Sequence, residues 1–97
     1  MKVRYSPRAT ADIVAIADYL TERNRVAARA VEAAIRKTID LLGEFPGSGR
    51  ILKQRSSVRV MPVLRYPYLV FYRIGADEVL IVHIRHGARA PVKPESL

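Results

Sequence analysis

Two histidines and a row of arginines are the residues of this chain whose types and spacing could do chemistry. His83 and His86 flank Arg85 near the end of the sequence, with Gly87, Ala88 and Arg89 following; Arg50, Arg59, Arg65 and Arg73 come before. Arginine presents a planar fork of donors that matches a carboxylate or a phosphate, and histidine is the side chain that exchanges a proton near neutrality. His83 falls within an otherwise apolar alternation, the setting of a packed, hydrogen-bonded histidine. His86 stands at a strand end beside Gly87 and Arg89, a better place for a working group. Arg85 has two readings: a recognition group held out by a rigid strand, or the partner of an acid such as Asp12 or Asp18. The chain has no cysteine, so a disulfide, a thiolate zinc site and a cysteine nucleophile are excluded. Gly47-Ser48-Gly49 lacks the lysine and the preceding strand of a phosphate cradle. There is no cluster of metal ligands and no Ser/His/Asp arrangement, so neither metal nor cofactor is indicated.

Charge narrows the partners. Seventeen Lys and Arg against nine Asp and Glu give a net charge of +8 and a pI near 10.5. Residues 1–49 hold eight basic and six acidic side chains, residues 50–97 nine and three, so most of the excess lies in the second half. A field this lopsided favours nucleic acid, a nucleic-acid-bound enzyme or an acidic protein. The opening Met1-Lys2-Val3-Arg4 is followed by no apolar signal segment. No stretch approaches the roughly 20 apolar residues of a membrane span. A cytoplasmic setting is expected.

The elements that must position these groups read as one α+β domain over 1–97, in the order β-α-α-β-β-β. Val3-Arg4-Tyr5 is a short strand. Ser6-Pro7 supplies an N-cap and a proline at the first helical position, and Ala9, Ile13, Ile16, Ala17 and Leu20 then recur at helical spacing. After the polar break Thr21–Arg25, with Asn24 as cap, a second helix is expected over Val26–Leu42, its stripe formed by Ala27, Val31, Ala34, Ile35, Thr38, Leu41 and Leu42. Gly43 and Pro46 should end it. Phe45–Arg50 reads as a turn-rich loop continuing to Ser57, and Val58–Arg65 as a strand in which Pro62 marks an edge or a bulge. Tyr68–Ile74 and Val79–Arg85, joined by Gly75-Ala76-Asp77-Glu78, form a β-hairpin. Residues 91–97 are expected to be a loose tail.

Both faces of that hairpin are apolar. Tyr68, Val70, Tyr72 and Ile74 alternate with Leu69, Phe71 and Arg73, and Leu80, Val82 and Ile84 with Val79, Ile81, His83 and Arg85. Strands apolar on both sides are covered on both sides. A helical hairpin on the antiparallel sheet covers one face; the other calls for a partner protein. The face bearing Leu69, Phe71, Val79 and Ile81, or else its opposite, is the expected docking surface.

In order and spacing over the whole chain, several segments resemble the RelE/ParE superfamily of toxins from type II toxin–antitoxin pairs. They are Ser6-Pro7-Arg8-Ala9 with Asp12-Ile13 and Tyr19-Leu20; Phe45-Pro46-Gly47-Ser48-Gly49-Arg50; Arg65-Tyr66-Pro67-Tyr68-Leu69-Val70-Phe71-Tyr72-Arg73; and Ile84-Arg85-His86-Gly87-Ala88-Arg89. The resemblance implies a helical hairpin on one sheet face and a cognate acidic, ParD-like antitoxin whose C-terminal segment wraps the toxin. RelE-like members cut messenger RNA on the ribosome, which requires a base for the 2′-hydroxyl, an acid for the leaving oxygen and cations for the phosphate. His86 would be the catalytic group in that case, yet no tyrosine follows Arg85, where family nucleases commonly place one. ParE-like members poison DNA gyrase by binding, which needs a shaped, charged surface and no acid–base pair. The Ser-Pro-Arg-Ala opening and His-Gly-Ala-Arg ending look more like this branch, with Arg73, Arg85, His86 and Arg89 as the expected target-binding residues. A stand-alone nucleic-acid module is disfavoured, because Tyr68, Phe71 and Tyr72 are interleaved with aliphatics rather than offered for base stacking.

Overall fold

The computed structural model describes residues 1–88 and 96–97. Strand β1 (Lys2–Tyr5) leads into helix α1 (Pro7–Thr21), then helix α2 (Arg25–Glu44), a short 3-10 turn over Pro46–Ser48, and strands β2 (Arg50–Leu52), β3 (Arg55–Pro62), β4 (Tyr68–Ile74) and β5 (Glu78–His86). The helix starts follow from their caps. Ser6 Oγ accepts the Ala9 N–H at 3.0 Å with Pro7 at the first helical position, and Asn24 Oδ1 accepts the Ala27 N–H at 3.0 Å. Each bond satisfies a donor that the first helical turn leaves without an intrahelical partner.

Helix α2 continues through Gly43, which is not its stop. A Cβ there would lie 3.0 Å from Val3 Cγ2 and 3.2 Å from the Met1 carbonyl oxygen. Glycine at 43 therefore lets β1 pass close under the last turn, where the Met1 nitrogen donates to the Gly43 carbonyl at 2.8 Å. The buried stripe of α2 is Ala28, Val31, Ile35, Thr38, Ile39 and Leu42. Leu41, expected inside, is exposed.

The strands form one sheet in the order β1-β5-β4-β3-β2. Strands β3, β4 and β5 pair antiparallel as expected, β2 adds antiparallel to β3, and β1 adds to the other edge parallel to β5, making the sheet mixed. Two helices lie between β1 and the rest of the sheet, and by the time the meander reaches β5 the chain runs in the β1 direction. The short β2 was expected to be loop; three residues pair with β3 around an irregularity at Ile51/Leu52. Pro62 closes β3 at its end, where no further ladder donor is required.

One irregularity decides which side chains share a face. Across β4 and β5, Phe71 stands opposite His83 but Tyr72 stands opposite Ile81, leaving Val82 as the extra residue of a bulge. The alternation is thereby shifted partway along β5. The major core packs the helices on one sheet face and contains Ala9, Val31, Ile35, Ile39, Leu42, Val70, Tyr72, Val79, Ile81 and Ile84. A smaller cluster on the opposite face consists of Val58, Val60, Phe71, Val82 and Leu97, flanked by Leu52, Leu69 and Leu80. The two-sided apolarity is real. Val79 and Ile81, expected to share a partner-binding face with Leu69 and Phe71, lie instead beneath the helices with no exposure. The expected loose tail also differs at its end: Leu97 is buried against the second face.

Candidate functional site

Both histidines lie toward the far end of β5, where β1 has run out. β1 pairs only with Glu78–Ile81, so the β5 edge beyond would carry unpaired backbone groups. Helix α1 meets them. The Ser6 N–H donates to the Ile81 carbonyl at 2.9 Å, and Ser6 Oγ donates to the Val82 carbonyl at 3.2 Å. Asp12 Oδ2 accepts both the Ile84 N–H at 2.9 Å and His83 Nδ1 at 2.7 Å. His83 is buried, and its ring stacks on Phe71 with centroids 5.6 Å apart. It is the packed, hydrogen-bonded histidine the alternation suggested, tying α1 to the sheet.

His86 is half-buried beside Tyr68, the rings meeting edge-to-face at 5.3 Å. Its Nδ1 accepts the Ala88 N–H at 3.1 Å, which places the proton of the neutral ring on Nε2. It lines an open cleft of about 1080 Å³, walled by Arg8, Asp12, Ile16 and Tyr19 of α1 and by Tyr66 and Pro67 of the β3–β4 turn. Within that turn Arg65 adopts a left-handed φ of 74° and Leu64 projects into solvent.

The arginines divide between structural and surface duties. Arg59 Nη1 donates to the Gly49 carbonyl at 2.9 Å. Beside it, buried Tyr72 donates its hydroxyl to the Pro46 carbonyl at 2.6 Å and accepts the Gly49 N–H at 2.8 Å. Burial pushes the Tyr72 phenol up, against the opposing pull of the Gly49 N–H and Arg59. These bonds fasten the Phe45–Arg50 loop to the sheet. A Cβ at Gly49 would lie 2.6 Å from the Tyr72 hydroxyl and 2.9 Å from the Val60 carbonyl oxygen, whereas one at Gly47 would meet nothing within 4 Å.

Arg73 and Arg85 belong to the second sheet face. Arg85 pairs in register with Leu69, holds its guanidinium 5.7 Å from the Phe71 ring centroid and donates to the His86 carbonyl at 3.0 Å. Asp12, one candidate partner for it, bonds His83 and Ile84 instead. Arg73 Nη2 donates to the Leu97 main-chain oxygen. The expected target-binding set is therefore only partly together: Arg73 and Arg85 flank Phe71 on the second face, and Arg85 also lines the cleft into which His86 opens. Arg89 lies outside the described residues. Leu69 and Phe71 remain together on the second face, without Val79 and Ile81. Arg8, Tyr66 and Leu97 were not foreseen; each depends on a tertiary contact with no local sequence signal.

Among the described residues, no group of three His, Asp or Glu side chains is placed to hold a metal, and no helix is long and apolar enough to cross a membrane. Residues 3–91 match the family described as the ParE toxin of the type II toxin–antitoxin system parDE. Toxin RelE2 of Caulobacter vibrioides is 34% identical over 88 residues, covering 91% of this chain and 97% of the relative. Among solved structures, the chromosomal ParDE toxin–antitoxin system of P. aeruginosa superposes with a TM-score of 0.77 at 24% identity, covering 89% of this chain and 95% of that one. A conserved hypothetical protein of Helicobacter pylori superposes with a TM-score of 0.57 at 18% identity, over 87% and 91% of the two chains. With the family model matched over residues 3–91 and a relative 34% identical over nearly its full length, the chain belongs to the ParE toxin family of type II toxin–antitoxin systems.

Proposed function

We propose that this toxin acts by binding, with DNA gyrase as its target, and that an acidic ParD-like antitoxin neutralises it by covering the second sheet face around Leu69 and Phe71. The observation that carries the binding reading is the disposition of the histidines. His83 is buried with its Nδ1 on Asp12, and His86 accepts a backbone N–H on Nδ1. A general base needs an accessible nitrogen lone pair aimed at the proton it takes. Neutral His86 offers a donor there instead. Arg73 and Arg85 supply the charged surface that a binding inhibitor requires, and no acid–base pair is involved.

Cleavage of ribosome-bound mRNA is the second reading. It is favoured by the contact of His86 with Tyr68 in a cleft that also contains Arg8 and Arg85. His86→Ala separates the two. In cells expressing the toxin, a reporter plasmid should lose negative supercoiling, and His86→Ala should weaken growth inhibition only modestly. A catalytic histidine would lose roughly 10²–10⁴-fold in rate, so message cleavage that collapses with His86→Ala would overturn the proposal. For the antitoxin, the neighbouring reading frame should encode a short acidic protein that copurifies with this chain and buries more than about 1,000 Å².

A further inference from the structure

The cleft beside His86 combines two kinds of surface. Ile16 and Leu20 of α1, Val31 of α2, Ile84 of β5 and Tyr66 and Tyr68 line it with apolar groups, while Arg8, Arg85 and His86 bring polar hydrogens. Among the described residues that line it, Asp12 is the one acid, and its Oδ2 already accepts from His83 and from the Ile84 N–H. Two guanidiniums against one committed carboxylate favour an anionic occupant.

The backbone around the cleft argues against a strand in that place. At the β5 edge, Ser6 takes the Ile81 and Val82 carbonyls, and Asp12 takes the Ile84 N–H. Further along, the Gly87 N–H goes to the Pro67 carbonyl at 2.6 Å and the Ala88 N–H to His86 Nδ1 at 3.1 Å. A peptide that adds to a sheet edge needs such groups open, whereas an amphipathic helix satisfies its own backbone and offers side chains. At about 1080 Å³ the space exceeds the roughly 300–1,000 Å³ of a small-molecule site. Tyr19, with Arg23 over its ring at 3.6 Å, and Leu64, 76% exposed beside Arg65, extend the apolar and cationic surface from α1 and from the β3–β4 turn. The rings are not laid out for base stacking, since Tyr68 is buried and meets His86 edge-to-face.

We propose that this cleft receives an amphipathic helix of the target protein, its apolar stripe on Ile16, Leu20 and Val31 and its acidic flank against Arg8, Arg85 and His86. The inference rests on the binding reading above and describes the element of the target that is recognised. Arg85 connects the two regions, standing over Phe71 on the second sheet face and lining the cleft. Neutral His86 donates through Nε2, which suits a carboxylate.

Ala15 tests the charge without touching the core, because it is exposed on α1 and lines the cleft. Affinity of the full chain for purified DNA gyrase is measured for the parent, Ala15→Glu and Ala15→Gln. Ala33→Glu, at an exposed position of α2, controls for net charge. Ala15→Glu should bind about tenfold or more weakly than Ala15→Gln, because like charges brought together at an interface are disfavoured. Its Tm should be nearly unchanged, and Ala33→Glu should bind much as the parent does. Two further probes need no gyrase: a synthetic helix with leucine on one side and glutamate along its flank, compared with its glutamine counterpart, and a short single-stranded RNA. The glutamate helix should shift the methyl signals of Ile16 and Val31 and bind more tightly than the glutamine one. Gyrase bound equally by Ala15→Glu and Ala15→Gln would overturn the proposal and leave the gyrase reading standing. A parent that ignores gyrase but seats the glutamate helix would overturn gyrase as the target and support the cleft's specificity. Methyl signals unmoved by the helix, or moved by the RNA alone, would overturn the proposal.

Discussion

Replacing Asp12 with alanine should destabilise the fold more than any other change to a partly exposed side chain near the cleft. The Asp12 carboxylate accepts from His83 Nδ1 at 2.7 Å and from the Ile84 N–H at 2.9 Å. Its side chain is 22% exposed and that of His83 9%. A buried donor stripped of its acceptor costs about 1–3 kcal/mol. Two are stripped here, and water can reach the vacated carboxylate position in part, so we expect a loss of about 2–4 kcal/mol. For a chain of this size that corresponds to a fall of roughly 10–20 °C in Tm. Asp12→Asn keeps one acceptor and should cost about half as much. Urea denaturation of Asp12→Ala, His83→Ala and the double variant provides the measurement, with a coupling of about 1–3 kcal/mol expected between two groups in direct contact. A loss below about 0.5 kcal/mol for Asp12→Ala, in the range of an ordinary surface substitution, would refute the idea that this carboxylate closes the free edge of β5.

Three further outcomes follow from the same contacts. Tyr72→Phe removes the bonds to Pro46 and Gly49 and should cost about 1–3 kcal/mol in chemical denaturation. Because burial raises the Tyr72 pKa above that of the unfolded chain, its contribution is intact below pH ~10 and is lost as pH rises further, so alkaline unfolding of the native protein should be shallower in Tyr72→Phe. Gly49→Ala forces a Cβ against the Tyr72 hydroxyl and should cost roughly 1–3 kcal/mol, while Gly47→Ala, with open space around it, should stay within about 0.5 kcal/mol; equal effects would show that the loop is not fastened as described. Arg85→Lys should weaken growth inhibition about tenfold or more with Tm nearly unchanged, since an ammonium cannot reproduce a bidentate fork; full toxicity in this variant would remove Arg85 from the working surface.

Local sequence rules account for most of the framework. Ser6-Pro7 and Asn24 start the two helices because capping is decided within four residues, and the Tyr68–Ile74 and Glu78–His86 hairpin follows from β-branched and aromatic density. What the residues did not disclose depends on distant contacts. A period of two carried unbroken through β5 pairs Val79 and Ile81 with Leu69 and Phe71; the bulge at Val82 shifts the alternation, so His83 and Arg85 share that face while Val79 and Ile81 do not. Nothing within residues 79–85 announces the bulge. Gly43 resembles a helix stop but serves the close passage of β1, a contact formed across more than forty residues of chain. The seating of Leu97 has no periodic signal, being a single residue at the end of a polar, proline-containing segment. The settings of the two histidines were legible from position alone: one lies inside an apolar strand and is bonded, the other at its end beside an open cleft.

The measurement that bears most directly on the binding reading is a pair of assays run on one preparation of the purified toxin. In the first, DNA gyrase supercoils relaxed plasmid in the presence of increasing toxin; in the second, translating ribosomes carry a labelled message under the same conditions. A toxin that acts by binding gyrase should suppress supercoiling in proportion to its concentration and leave the message intact, with suppression reversed by the acidic protein of the neighbouring reading frame. Cleaved message together with undiminished supercoiling would contradict it and assign the His86 cleft to catalysis.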